Sequence, residues 1–351
     1  MRGLFLFLPR RSPAGDVPDP GGKKMIDLST NYLGINLRNP IIVASSGMTS
    51  SAEKIAECEK AGAGAVVIKS LFEEQINLET AEMMKSMDYT AHTDAFDYFT
   101  GTSKHKHIDE YVELIEASKS KVSIPVIGSI NCVTPGSWIE YAGRLEKAGI
   151  DALEVNVFIM PADAEQDSRS IEDRYVAILQ EIKRHVSVPV TLKIGPHFSG
   201  LASVIKRFEN NGANGVVLFN RFYRPDVDIE NMKIIPAKVY SVPQEMSLSL
   251  QWIALLSGGL NIHFAAATGI HDGKGVIKQL LVGARATQLC STLYRNGISH
   301  IQRILVEIEE WMNRHNYKEI DDFRGKLSRE NVVKPEIYER SQYIKALVGI
   351  S

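Results

Sequence analysis

Five short apolar runs in this chain end in, or open directly onto, residues that can do chemistry. Lys69 and Ser70 follow AVVI, and Ser129 and Asn131 close PVIGSIN. Glu154 and Asn156 stand in ALEVN, Lys193 ends PVTLK, and Asn220 follows GVVLF. Lysines and amides gathered at one mouth suit an electron-rich heteroaromatic ligand. Amides donate and accept at a ring edge, and an ammonium stabilises anionic character. Taken singly, each residue also fits a strand cap or an internal ion pair, for instance Glu154 with Lys69 or Lys193. Later in the chain, AATGIHDGKG and CSTL suit an anion. Gly269 allows close backbone approach, and Ser291 and Thr292 open a helix whose N–H groups attract negative charge. The plain alternative there is a turn and an N-cap.

These residues need elements that bring them together. Eight runs read as strands: 40–44 (PIIVA), 65–69 (AVVIK), 125–129 (PVIGS), 152–156 (ALEVN), 189–193 (PVTLK), 215–219 (GVVLF), 262–267 (IHFAAA) and 286–290 (ATQLC). They are almost continuously apolar, as parallel strands covered on both faces must be. Stretches 51–61, 138–148 and 173–186 carry apolar residues at helical spacing. Four strands follow a similar tag: KAGAGA, KAGIDA, NNGANG and VGARA. Each tag ends a helix on a glycine suited to a left-handed C-cap and turns at once into a strand. The repeat predicts an α/β fold, a (β/α)8 TIM barrel whose strand-end residues face one mouth. A doubly wound sheet also alternates strands and helices, but the count of eight favours closure. A short strand pair around Gly34 precedes the barrel, and long loops follow strands 2 (71–124) and 6 (220–259). Both leave the C-terminal face, where they are expected to form a lid or substrate wall.

The formal net charge of −2 over 351 residues argues against nucleic acid as a partner. No run reaches the ~18 consecutive apolar residues that a membrane span needs, so a membrane partner is not expected. The three cysteines (Cys58, Cys132, Cys290) lie far apart, which fits a reducing compartment and neither a disulfide framework nor a metal site. Residues 1–24, rich in Pro, Gly and charge, read as a disordered extension, and 25–351 as a single domain.

In combination these motifs resemble the dihydroorotate dehydrogenase family, over nearly everything from Met25 to about Leu327. NPIIVASSG resembles its first strand, AGAGAVVIKS its second, GSINCVTP and KAGIDALEVN its third and fourth, and LKIGP its fifth. Asn220 matches the asparagine after strand 6, and ATGI and GARATQLCSTL resemble its phosphate-binding loops. MNRHNYKEIDDFRGKLS is similar to the C-terminal end of the class 1 members. The resemblance implies FMN as cofactor, held by Ala44, Ser45, Gly47, Lys69, Ser70, Asn131, Asn156, Lys193, Asn220, Gly269, Ser291 and Thr292. It implies Lys193 as the catalytic residue that stabilises flavin charge, and substrate contacts at Asn156 and Asn220. It also implies oxidation of dihydroorotate to orotate in pyrimidine biosynthesis by a cytoplasmic homodimer.

The substrate half of the pattern departs from the family. The residue at the family's Cys/Ser base position is Ile159, within DALEVNVFIMPAD, and an isoleucine has no proton-accepting atom. The asparagine-rich loop after strand 2 has no clear counterpart in 71–106. Three explanations stand side by side. Asp163 or Ser168 serves as base, or His197, His92 or Asp94 supplies it from another loop, or the substrate differs. Arg221 and Arg224 suit an anionic substrate bound bidentately, or alternatively a solvated face.

Overall fold

The computed structural model describes residues 26–86, 93–131, 135–221, 225–237 and 239–339. The extension 1–24, His92 and Arg224 lie outside these, as does the side chain of Asp94.

Strands β1 (Thr30–Tyr32) and β2 (Ile35–Leu37) form an antiparallel hairpin. The chain then runs through β3 (Ile41–Val43), β4 (Ala65–Val67), a short β5 (Leu71–Phe72), β6 (Val126–Asn131), β7 (Ala152–Asn156), β8 (Val190–Ile194) and β9 (Gly215–Leu218). A second hairpin, β10 (Pro225–Asp228) and β11 (Lys233–Pro236), precedes β12 (His263–Ala267) and β13 (Ala286–Leu289). Eight of these pair in parallel in the order β3-β4-β6-β7-β8-β9-β12-β13, and β13 pairs back onto β3. The sheet is therefore a closed barrel, and its eight strands fall on the eight apolar runs.

Helices α1 (Ala52–Lys60), α2 (Glu73–Ser86), α3 (Thr93–Lys121), α4 (Pro135–Lys147), α5 (Ser168–His185), α6 (Leu201–Asn210), α7 (Met246–Leu256), α8 (Gly273–Leu281), α9 (Ser291–Asn296) and α10 (His300–Arg314) accompany the strands. Ser51, Asp167 and Asp272 cap α1, α5 and α8 through their side chains. Gly62, Gly149, Gly212 and Gly283, one in each tag, sit at φ of 101°, 93°, 85° and 111°. A side chain there would force the left-handed backbone that only glycine adopts at little cost.

The two long connections carry ordered elements of their own. The first holds α2 and the 29-residue α3. Buried Glu73, in the first turn of α2, accepts a hydrogen bond of 2.8 Å from Ser137 of α4 and ties this segment to the barrel. The second holds the β10–β11 hairpin and α7. That hairpin projects Val227, Ile229, Met232 and Ile234, each more than 60% exposed.

The β1–β2 hairpin plugs the barrel. Tyr32, Leu33 and Leu37 pack against Ile42, Ala65, Val67, Ile127, Ala152, Val217, Ala265, Ala267 and Ala286 on the inner wall. Alanines at those positions leave room for the Tyr32 ring, whose hydroxyl meets Thr191 Oγ1 at 3.3 Å. Burying one such large side chain contributes roughly 2–3 kcal/mol. His263 completes the seal, its Nδ1 accepting the Leu33 N–H at 2.8 Å.

Candidate functional site

At the C-terminal end of the strands lies a cavity of about 550 Å³. Ala44, Ser45, Gly47, Lys69, Ser70, Asn131, Asn156, Lys193, Asn220, Arg221, Gly269 and Ser291 all line it. They arrive from different strands because each apolar run ends at the same barrel rim. A cavity of this size falls within the range of small-molecule and cofactor sites.

The floor is polar and organised. Asn220 donates to Asn156 Oδ1 at 2.7 Å, joining the ends of β7 and β9. Lys193 donates to Gln288 Oε1 at 2.7 Å and lies 3.4 Å from Glu154 Oε1. Of the two internal ion pairs open to Glu154, the one with Lys193 forms. Lys69, at the mouth, makes no ion pair with any described residue.

One wall is built from hydroxyls. Ser45 Oγ accepts the Ser70 N–H at 2.8 Å and contacts Ser70 Oγ at 3.0 Å, and Ser70 Oγ meets Ser129 Oγ at 2.6 Å. Ser129 is fully buried, its backbone bracketed by the Tyr111 hydroxyl.

The opposite wall contains Thr268 and Gly269 at φ of 71° and 77°. Thr268 is a branched residue in left-handed backbone, a strain on the order of 1–3 kcal/mol, and its hydroxyl donates to Phe219 O at 3.0 Å. Gly269 donates to Ser241 Oγ at 3.3 Å, and Ser241 N donates to Ser291 Oγ at 3.0 Å. Ser241 Oγ also contacts His271 Nε2 at 3.2 Å. Burial, with the Arg295 guanidinium second, holds His271 below the usual imidazole value. Tyr240 stacks on Tyr294 with centroids 5.8 Å apart, and Arg295 lies over Tyr240.

Thr292 is the exception among the expected cofactor contacts. It is fully buried behind the wall, and its hydroxyl donates to His271 O at 2.9 Å. Helix geometry turns its side chain inward while Ser291 faces the cavity. Arg221 lines the cavity but is engaged by Glu245 at 3.0 Å and by Val239 O at 2.8 Å. Its charge is therefore offset by a carboxylate.

Among the described residues, the candidate bases do not reach the cavity. Ile159 donates its backbone N–H to Tyr175 OH at 3.1 Å and packs against the core instead. Asp163, Ser168 and His197 are exposed and line no part of the cavity. Among the described residues, no histidine, aspartate or glutamate lines it. A separate cavity of about 290 Å³, between Lys69 and the α2–α3 pair, contains His107, which is paired with Glu79 and Glu110.

Sequence reasoning missed several cavity residues. Gln288 follows from strand parity, because Ala286 two residues earlier faces the barrel interior. Cys290 also lines the cavity, and burial raises its thiol, with Lys193 opposing. Tyr240 and Ser241 are placed by the long connection and leave no local signal. Among the described residues, no group of three or more His, Cys, Asp or Glu is placed to hold a metal. No described helix is long and apolar enough to cross a membrane.

Comparison with known proteins agrees with the architecture. The sequence profile of the dihydroorotate dehydrogenase family matches residues 91–312. The chain is similar to the dihydroorotate dehydrogenase B (NAD(+)) catalytic subunit of Thermoplasma acidophilum. That pair is 26% identical over 309 residues, covering 86% of this chain and 99% of the relative. The same-named subunit of Methanocaldococcus jannaschii is 25% identical, covering 82% and 94%. Chloroplastic dihydropyrimidine dehydrogenase (NADP(+)) of Arabidopsis thaliana is 21% identical, covering 85% and 76%.

Proposed function

This chain belongs to the dihydroorotate dehydrogenase family and is an oxidoreductase of that family; on that premise we propose that it binds FMN and acts on the CH–CH bond of a small ring compound other than dihydroorotate. The observation carrying this reading is the asymmetry of the cavity. Strand-end amides and a buried lysine converge on the floor, while the segment that should bring a base stays outside.

The donor set fits FMN. Asn131, Asn156, Asn220 and Lys193 suit the polar edge of a flavin ring, and Gly269, Ser241 and Ser291 suit a phosphate. Bound FMN would supply hydride acceptance. The protein's own part is to orient the ring, exclude water, and offset negative charge at the floor through Lys193 Nζ. Lys69 at the mouth suits a negatively charged group on the substrate. The relatives' names point to saturated pyrimidine-type rings as the class to screen first.

Dihydroorotate oxidation needs a proton acceptor beside the ring, and position 159 offers none. Anaerobic mixing of the FMN-loaded protein with dihydroorotate is expected to leave the flavin absorbance intact. Full bleaching within seconds would overturn the changed-substrate reading. A homodimer remains our proposal from the family resemblance, in the cytoplasm. The relatives' naming as catalytic subunits adds a second, electron-accepting protein as a candidate partner.

A further inference from the structure

Beneath the cavity floor, three side chains from three strands form one cluster. Glu154 of β7 is fully buried. One of its carboxylate oxygens accepts a hydrogen bond from the Gln288 amide of β13. The other, Oε1, accepts no hydrogen bond and faces the Lys193 ammonium of β8 at 3.4 Å. Gln288 accepts from Lys193 with its own oxygen, so the amide bridges base and acid. Lys193 and Gln288 line the cavity and Glu154 does not. The carboxylate therefore sits one tier below the ligand, within reach of the group that meets it.

Packing alone does not call for a charge here. A glutamine at 154 has the same shape and can still pair with Gln288. Taking a carboxylate out of water costs several kcal/mol unless geometry and hydrogen bonds compensate. This one leaves an oxygen without a hydrogen bond, so its negative charge is the property to explain. That charge reaches the surrounding core. The phenols of Tyr32 and Tyr111 are pushed upward, by burial first and by Glu154 as well. The nearest cation to it is the Lys193 ammonium, 3.4 Å from Oε1.

We propose that Glu154 is a positioning residue for Lys193: it anchors the ammonium on the cavity floor and limits how strongly that charge stabilises the reduced form of a flavin above it. The inference rests on the reading that the cavity binds FMN. It predicts that Glu154 lowers the reduction potential of bound FMN and that it does so through Lys193.

The test is the midpoint potential of protein-bound FMN in the full chain, measured for wild type, Glu154→Gln, Glu154→Met, Lys193→Met and Glu154→Gln/Lys193→Met. Removing the carboxylate is expected to favour reduced over oxidised FMN about tenfold, a rise of about 30 mV for a two-electron couple. Glu154→Met should move the potential the same way and stands in if the glutamine variant does not fold. Lys193→Met should lower it. Adding Glu154→Gln to Lys193→Met should then change the ratio less than threefold, because the route through the lysine is gone. Wild-type protein that takes up no FMN contradicts the flavin reading and the inference with it. FMN uptake with a potential that is unmoved or lowered by Glu154→Gln overturns the inference alone. So does an equal tenfold effect with and without Lys193.

Discussion

Lys193 stands where the cavity meets the buried core. Its ammonium lies on the cavity floor, yet it is also the counter-charge of a fully buried carboxylate. Lys193→Met leaves Glu154 unpaired, and breaking a buried pair from one side costs about 3–5 kcal/mol. Urea unfolding should show that loss, and Glu154→Gln/Lys193→Met should recover much of it. A single variant as stable as wild type would mean that the pair is not closed in the folded protein. His263 acts at the opposite end of the barrel. Burial first, then Arg285 and Arg324, depress its imidazole to about 4 from the ordinary 6.5. Its folded value lies below its unfolded one, so the unfolded chain takes up the proton first. Stability from this group is full above pH 6.5 and is lost as pH falls toward 4. With solvent still reaching part of the ring, the loss is on the order of 1–2 kcal/mol. His263→Asn keeps an acceptor for the Leu33 N–H but does not titrate. Its unfolding midpoint should therefore fall less between pH 6.5 and 4, and parallel pH profiles would contradict the assignment.

At the scale of elements, the barrel is legible because its signals are local. Eight apolar runs and four glycine tags each announce a strand or a helix end without reference to the rest of the chain. The plug is not legible in this way. IDLSTNYLGINLRNP reads as a hairpin, but nothing within it shows that Tyr32 and Leu33 enter the barrel. That follows from alanines at 65, 152, 265 and 286, which lie in four other strands. The same limit hides Tyr240 and Ser241, which reach the cavity because a long connection folds back over it. Thr292 shows the converse. Its type fits a phosphate loop, but one helical step separates it from Ser291 and turns it into the core. Gly215 tests the plug directly. A Cβ there would stand 2.4 Å from Leu33 Cδ2 and 3.1 Å from His263 O. Gly215→Ala should displace the hairpin and destabilise the protein by about 1–3 kcal/mol, with faster amide exchange in β1 and β2. A stable variant with unchanged exchange would show that the plug does not pack as described.

For the whole molecule, the barrel brings strand-end amides and a lysine to one mouth, while Ile159 packs against the core and does not line the cavity. The proposal of FMN with a changed substrate rests on that contrast. Light scattering on the purified chain should give the mass of two copies, and the mass of one would contradict the homodimer proposal. The proposed flavin site is tested by titration of purified protein with FMN, followed by flavin absorbance and fluorescence. Saturation is expected at one FMN per chain, with binding at least tenfold weaker in Asn156→Ala and unchanged in the exposed His197→Ala. Absence of saturable uptake by wild type, or uptake indifferent to Asn156, would contradict it.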